Sequence, residues 1–373
     1  LIAFDIAKFQ PRPWQILARS FASDRLAGTY LFCGRDGTGR WPLAIALAAL
    51  VNCESPVDGA SGLPAPCGEC RNCHFIFNLN FEGLHFALPV PPHKKADDVI
   101  DLNQEIIQAK REEPFLVLSG AGSRTIPIAS ARQIKRSLAS KASDLTRVVL
   151  FFQMENMKLA STDALLKMIE EPPADTIIVM TASRPDALLP TVRSRAREVL
   201  MDRIAEPLVA EYLRERYQIR PDRADLLARL SEGSLGAALD LAPTLEGDGR
   251  FSRQAGFELF CRLFSGSGAD AVAGLTELIN LKDRSEVGQL LAFWQSLIRD
   301  CTVVGVSGAS DDITNIDLAD GIQSLATHFQ GARPAAEMTE CIKLTLADLQ
   351  RNVHIPGALA ALVLKLRAAV VNS

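Results

Sequence analysis

The 373-residue sequence has no surplus of positive charge: 40 Lys and Arg stand against 44 Asp and Glu, a formal net charge of −4. That excludes a protein that grips nucleic acid by bulk electrostatics, so any DNA contact is local or shared with partners. An apolar run of membrane-spanning length is also missing. Leu43 to Val51 is nine residues and the run ending at Leu364 meets Lys365 and Arg367, whereas a spanning helix needs about 20. The first residues, with Asp5, Lys8, Arg12 and Asp24, lack the pattern of a secretory leader. No membrane association and a cytoplasmic location are expected. Cysteine is sparse outside one window: Cys53, Cys67, Cys70 and Cys73 lie close together, and the rest of the eight are scattered. Clustered thiols in a reducing compartment point to metal rather than to a disulfide framework. What is present, 48% hydrophobic and 23% charged residues, is the composition of a folded soluble chain. The length suggests about two to three domains.

The chain is organised around Gly34-Arg35-Asp36-Gly37-Thr38-Gly39-Arg40-Trp41, which follows the apolar run Thr29 to Cys33 and precedes the alanine-rich run from Leu43. A strand, a glycine turn and a helix in that order is the setting of a phosphate-binding loop, where backbone N–H groups converge on an anion. The motif G-x-x-x-x-G-K-[ST] needs Lys at position 40 and a hydroxyl at position 41. Arg40 keeps the charge but is bulkier and forked, and Trp41 offers an indole N–H that cannot ligate Mg²⁺. The loop reads as inherited but disabled, which leaves a working site, a vestigial binder and a mere structural turn as the possibilities.

A helix over 42 to 52 is expected next, then Cys53, a turn-rich stretch, and Cys67-Gly-Glu-Cys70-Arg-Asn-Cys73. This insert has little apolar content of its own, so a metal would replace the missing core. Three cysteines at C-x2-C-x2-C spacing, with Cys53 thirteen residues before Cys67, fit four thiolates around a structural Zn²⁺. An iron–sulfur cluster would prefer a fourth cysteine three residues after Cys73, and none is there. Ligation by His74 together with the adjacent Cys73 is awkward.

A second strand is expected over Leu84 to Val90, a charged surface excursion with a helix over Pro91 to Phe115, and a buried strand at Val148 to Phe152. The positions that carry the Mg²⁺-binding acid and the water-activating Glu in a working P-loop ATPase read Phe152 and Gln153. Glu155 is expected to open the next helix, Lys158 to Glu171, with Leu159, Leu165, Leu166 and Ile169 inward, stopped by Pro172-Pro173. Another buried strand, Thr176 to Thr181, and a short run at Glu198 to Met201 complete an α/β pattern that predicts a parallel sheet covered on both faces. Beyond 202 the strand signals vanish. Helical periodicity takes over, as in Phe257, Phe260, Phe264 and in Val287, Leu290, Leu291, Trp294, Ile298.

Several segments now add up to a family. Ala164-Leu165-Leu166-Lys167-Met168-Ile169-Glu170-Glu171-Pro172-Pro173 is very similar to the "ALLKxLEEPP" signature of the clamp-loader ATPases of DNA replication, Ser194-Arg195-Ala196 resembles their Ser-Arg-Cys motif, and Glu232 to Leu239 resembles their "EGSxRxAL" lid segment. The cysteine insert after the P-loop helix is also typical of bacterial members. The resemblance implies an AAA+ α/β domain over 1–201 with a zinc-binding insert at 53–73, a helical lid over 202–246, and an all-α collar for oligomerisation over 247–373. It implies a place in a DNA polymerase III ring with ATPase subunits of the gamma or tau kind and a delta-type subunit, serving the sliding clamp and primer–template DNA indirectly. It also implies that Arg195 acts as an arginine finger, reaching the ATP of a neighbouring subunit. The departures, Arg40, Trp41, Phe152, Gln153 and Gly236 at the lid's sensor-arginine position, imply that the chain itself does not hydrolyse ATP. An active gamma- or tau-type ATPase is the alternative function, and a zinc-containing nucleic-acid binder on a borrowed fold a more distant one.

Overall fold

The structure is a computed structural model that describes residues 6–59, 62–91, 98–118, 124–139, 145–157, 165–246, 252–264, 267–281, 283–308, 313–327, 332–350 and 353–371. Its chain falls into two compact units, one of Leu1–Val117, Arg124–Gln218 and Ser231–Ala237, the other of Leu118–Ser123, Ile219–Leu230 and Ala238–Ser373.

The first unit is built on β1 (Thr29–Cys33), β4 (Leu84–Ala87), β5 (Arg147–Phe151), β6 (Thr176–Ala182) and β7 (Arg197–Leu200), while β2 (Val57–Asp58) and β3 (Pro64–Ala65) form a small antiparallel hairpin in the cysteine insert. The five long strands run parallel in the order β4-β5-β6-β1-β7. Every residue of β1, β5 and β6 is buried, which is why their sequences are continuous apolar runs and not alternating ones. On the edge strand β7 only Val199 is buried. The helix Arg40–Asn52 is apolar on all sides and buried along nearly its whole length, as a helix packed inside an α/β layer must be.

Three expectations need correction. The strand expected over Leu84 to Val90 ends at Ala87, and Val90 makes only an isolated bridge to Thr125. Pro89 has no N–H for the ladder, so pairing stops there. The charged segment before Phe115 carries the expected helix, Asp98–Glu112, but it does not lie wholly at the surface, since it buries Val99, Ile106 and Lys110. Glu155 opens no long helix. It sits in the short 3₁₀ turn Met154–Asn156, and its carboxylate accepts from both the N–H and the hydroxyl of Ser183 at the end of β6. The expected helix start at Lys158, with Leu159 and Ala164, lies outside the described residues. Its end is described: the helix Leu166–Glu170 stops before Pro172-Pro173, with Leu165 and Ile169 buried.

The described residues of the second unit are helical, without strands. Its core gathers around the fully buried Trp294, whose indole N–H donates to the Gly256 carbonyl at 3.0 Å and whose ring meets Phe260 and Phe264. The stripe Val287, Leu290, Leu291, Trp294 and Ile298 is buried as its periodicity predicts. Cys301 belongs to this core, and Cys261 and Cys341 pack against it.

Candidate functional site

The loop Gly34 to Gly39 lies between β1 and the helix Arg40–Asn52, the position in which a phosphate-binding loop works. Gly37 (φ 75°) and Gly39 (φ 109°) take the left-handed backbone such a turn requires. The side chains at the motif's Lys and hydroxyl positions are buried against the protein itself. Arg40 is buried and its guanidinium bonds the Asp36 carboxylate, to which Gln153 Nε2 also donates at 3.1 Å. Trp41 is buried, stacked on Phe86 (centroids 5.2 Å apart, planes at 11°) and edge-on to Phe152 (5.4 Å, 87°). Trp41 and Phe152, at the positions where the motif would have a hydroxyl and an acid, are thus in aromatic contact with each other. Lys110 Nζ lies against this pair, 4.7 Å from the Phe152 ring centre and 5.5 Å from that of Trp41, and donates to the Leu116 carbonyl.

Sequence reasoning missed Lys110, because a lysine in a charged segment reads as a solvated one. Burial, and after it the Arg40 charge, holds its ammonium down at about 7. Between that value and the ordinary lysine pKa of about 10.4 the unfolded chain binds a proton that the folded chain has released. This group therefore makes the fold more stable as pH rises across that window. Wild type should gain up to about 1 kcal/mol between pH 7 and 8 relative to Lys110→Met, seen in denaturant midpoints. Parallel pH profiles for the two proteins would contradict it.

The segment Ser234 to Gly236 lies directly on the glycine loop. Ser234 Oγ donates to the Asp36 carbonyl at 2.7 Å and Gly236 N–H to the Gly37 carbonyl at 3.3 Å. A Cβ on Gly236 would stand 2.4 Å from the Phe115 carbonyl oxygen and 2.6 Å from Val117 Cγ2, and one on Gly37 2.5 Å from Ser234 Oγ. Only glycine fits position 236, so a sensor arginine there is sterically incompatible with the closed loop. The helix Glu206–Tyr217 is fastened to the same unit by Glu113, which accepts from the hydroxyls of Tyr212 and Tyr217 and from the N–H of Phe115, and pairs with Arg216.

The sulfur atoms of Cys53, Cys67, Cys70 and Cys73 all lie within 4.8 Å of one another. Four thiolates about 2.3 Å from one Zn²⁺ would stand about 3.8 Å apart, so the cluster needs only a small contraction to hold the ion. Backbone N–H groups of Cys67, Cys70 and Cys73 point at the sulfurs of Cys53, Cys67 and Cys70, at 3.3, 3.3 and 3.4 Å. Such donors favour thiolates, and those of Cys70 and Glu69 hold the Cys67 thiol down at about 7, while burial pushes Cys73 up. His74 is exposed and stands outside this set.

Arg195 follows the short helix Pro190–Arg193. Its Nη1 donates to the Thr191 carbonyl at 2.9 Å and its Nε pairs with Glu170 Oε2 at 3.0 Å. The flanking arginines are occupied: Arg193 is held between Asp186 and Glu198, and Arg197 donates to Ser20. Arg195 Nη2 has no partner among the described residues. No helix among the described residues is long and apolar enough to cross a membrane.

The sequence matches the family described as "DNA polymerase III, delta subunit" over residues 9–205, more than half the chain. It is 27% identical to DNA polymerase III subunit delta' of Bacillus subtilis over 64% of this chain and 60% of that protein. It is 25% identical to the Escherichia coli subunit delta' over 86% and 84% of the two chains. The E. coli subunit tau is 27% identical over 64% of this chain but only 32% of its own length. The chain thus spans well under two thirds of some of these relatives. The motifs of the α/β domain, the parallel sheet that carries them and the match over residues 9–205 together assign it: the chain belongs to the delta-prime-type clamp-loader family of DNA polymerase III.

Proposed function

We propose that the chain is a non-hydrolysing AAA+ subunit of a DNA polymerase III clamp loader, completing a ring and supplying Arg195 to the ATP site of a neighbour. The observation that carries this is the packing around the glycine loop: Arg40, Trp41, Phe152 and Lys110 are buried together there, and Ser234 to Gly236 lie on the loop. Metal, attacking water and γ-phosphate would each lack the ligand that a phosphoryl-transfer site provides. Residues 1–201 serve as the α/β body, 202–246 as the lid and 247–373 as the collar through which rings assemble. The neighbours are ATPase subunits of the gamma or tau kind and a delta-type subunit, with the clamp and primer–template DNA engaged by the assembled ring. Titration of the isolated chain with a fluorescent ATP analogue and Mg²⁺ should give no saturable signal and no phosphate release. Robust turnover, free of contaminating ATPase, would instead favour an active gamma- or tau-type subunit.

Cys53, Cys67, Cys70 and Cys73 are proposed to hold one structural Zn²⁺, with no coordination position left open for chemistry. Elemental analysis should find close to one zinc per chain. Chelation or Cys70→Ser should loosen the insert between β1's helix and β4 while the sheet survives. Iron with visible absorbance would point to a cluster instead.

A further inference from the structure

We infer that Glu170 is a positioning residue for Arg195, an inference that rests on the finger role proposed above. Glu170 is the last residue of the helix Leu166–Glu170. That helix is pinned by the fully buried Ile169, whose carbonyl accepts the Thr29 hydroxyl of β1 at 2.8 Å, and the chain cannot continue it through Pro172-Pro173. The carboxylate therefore projects from a fixed point of the sheet's own packing. Arg195 sits one residue past a turn anchored by the buried Val192, with its backbone N–H donating to the Val192 carbonyl.

The guanidinium is planar, so two fixed contacts restrict its plane. The Nη1 hydrogen bond to the Thr191 carbonyl and the 3.0 Å ion-pair contact of Nε with Glu170 Oε2 are those two. Nη2 and the second N–H of Nη1 remain to meet phosphate oxygens across a subunit boundary. The Glu170 side chain is 54% exposed and that of Arg195 32%. An ion pair so open to water is too weak to withhold the guanidinium from a phosphate, but it is enough to narrow the rotamers of a long side chain. The expected action is thus preorganisation of the finger, and loss of Glu170 should slow the reaction rather than release it.

The test uses rings reconstituted from motor subunits, a delta-type subunit and this chain as wild type, Glu170→Ala, Glu170→Gln, Arg195→Ala or the Ala–Ala double variant, with assembly checked by sizing. Glu170→Ala should lower kcat at the adjoining ATP site, read as a single-site rate, about three- to tenfold with little change in KM, well below the ~100-fold that a ~1 Å misplacement can cost. Glu170→Gln, which keeps an acceptor oxygen for Nε, should recover at least about half of the wild-type rate. The double variant should match Arg195→Ala alone, since Glu170 acts only through the arginine. A slow Arg195→Ala ring beside a fully active Glu170→Ala ring would overturn the positioning role and leave the finger standing. An additional loss on adding Glu170→Ala to Arg195→Ala would also overturn it. A fully active Arg195→Ala ring would remove the finger, and this inference with it.

Discussion

Replacing Arg195 by Ala is expected to slow ATP hydrolysis at the adjoining motor site by a factor on the order of 10³ to 10⁵, the worth of an arginine finger that stabilises charge on a transferring phosphoryl group. The physical basis is the charge that develops on equatorial oxygens in the transition state, which a planar, permanently protonated fork meets better than a single ammonium. Whole-ring turnover should fall by the share that this site carries, and further where the sites fire in order. Arg195→Lys should rescue little. The fold should be indifferent: the side chain is about a third exposed, its ion pair with Glu170 is open to water, and the Thr191 carbonyl it leaves is exposed. Zinc content, melting behaviour and ring assembly should therefore match wild type, so that a loss of turnover reports chemistry and not unfolding. Equal single-site rates at equal assembly would reduce Arg195 to a surface charge.

Rebuilding the motif by Arg40→Lys with Trp41→Thr should produce a less stable protein and no ATPase. Trp41 is buried between Phe86 and Phe152, and removing a ring of that size from a packed site costs about 3 to 5 kcal/mol. That is a large part of the about 5 to 15 kcal/mol by which domains are stable. The pair also strips Lys110 of an aromatic face and leaves Asp36 with a shorter partner. Nothing is gained in chemistry, because Phe152 and Gln153 still stand where the metal acid and the Glu belong, and Gly236 still closes on Gly37. Trp41→Phe, which keeps an aromatic ring against Phe86, should be far milder. Denaturant unfolding and phosphate release, measured on the same preparations, check both halves. A stable, ATP-hydrolysing double variant would show that the loop is merely unused.

Much of this was legible in the sequence where the determining contacts are local. The buried strands announced themselves as apolar runs, the glycine loop by its position between strand and helix, and the four cysteines by their spacing. The departures from the motif at positions 40, 41, 152, 153 and 236 were legible too, but only as a set of absences. That these positions pack against one another around the glycine loop was not. Ser234 reaches Asp36 across 198 residues of chain and Gln153 reaches it across 117, and no periodicity reports such pairs. Lys110 was hidden for a related reason: its neighbours in sequence are charged, while its neighbours in space are Trp41 and Phe152. Glu170 was visible as part of a signature, yet its contact with Arg195 required the fold to bring two helix ends together.

As proposed, this chain hydrolyses no ATP yet activates a neighbour that does. That is tested most directly by adding increasing amounts of the chain to purified motor and delta-type subunits at saturating ATP and following phosphate release. The prediction is no release from the chain alone and a saturable rise above the motor subunits' own rate as rings form, abolished at the adjoining site by Arg195→Ala. Phosphate release by the chain alone, or rings that form without any rise in rate, would contradict it.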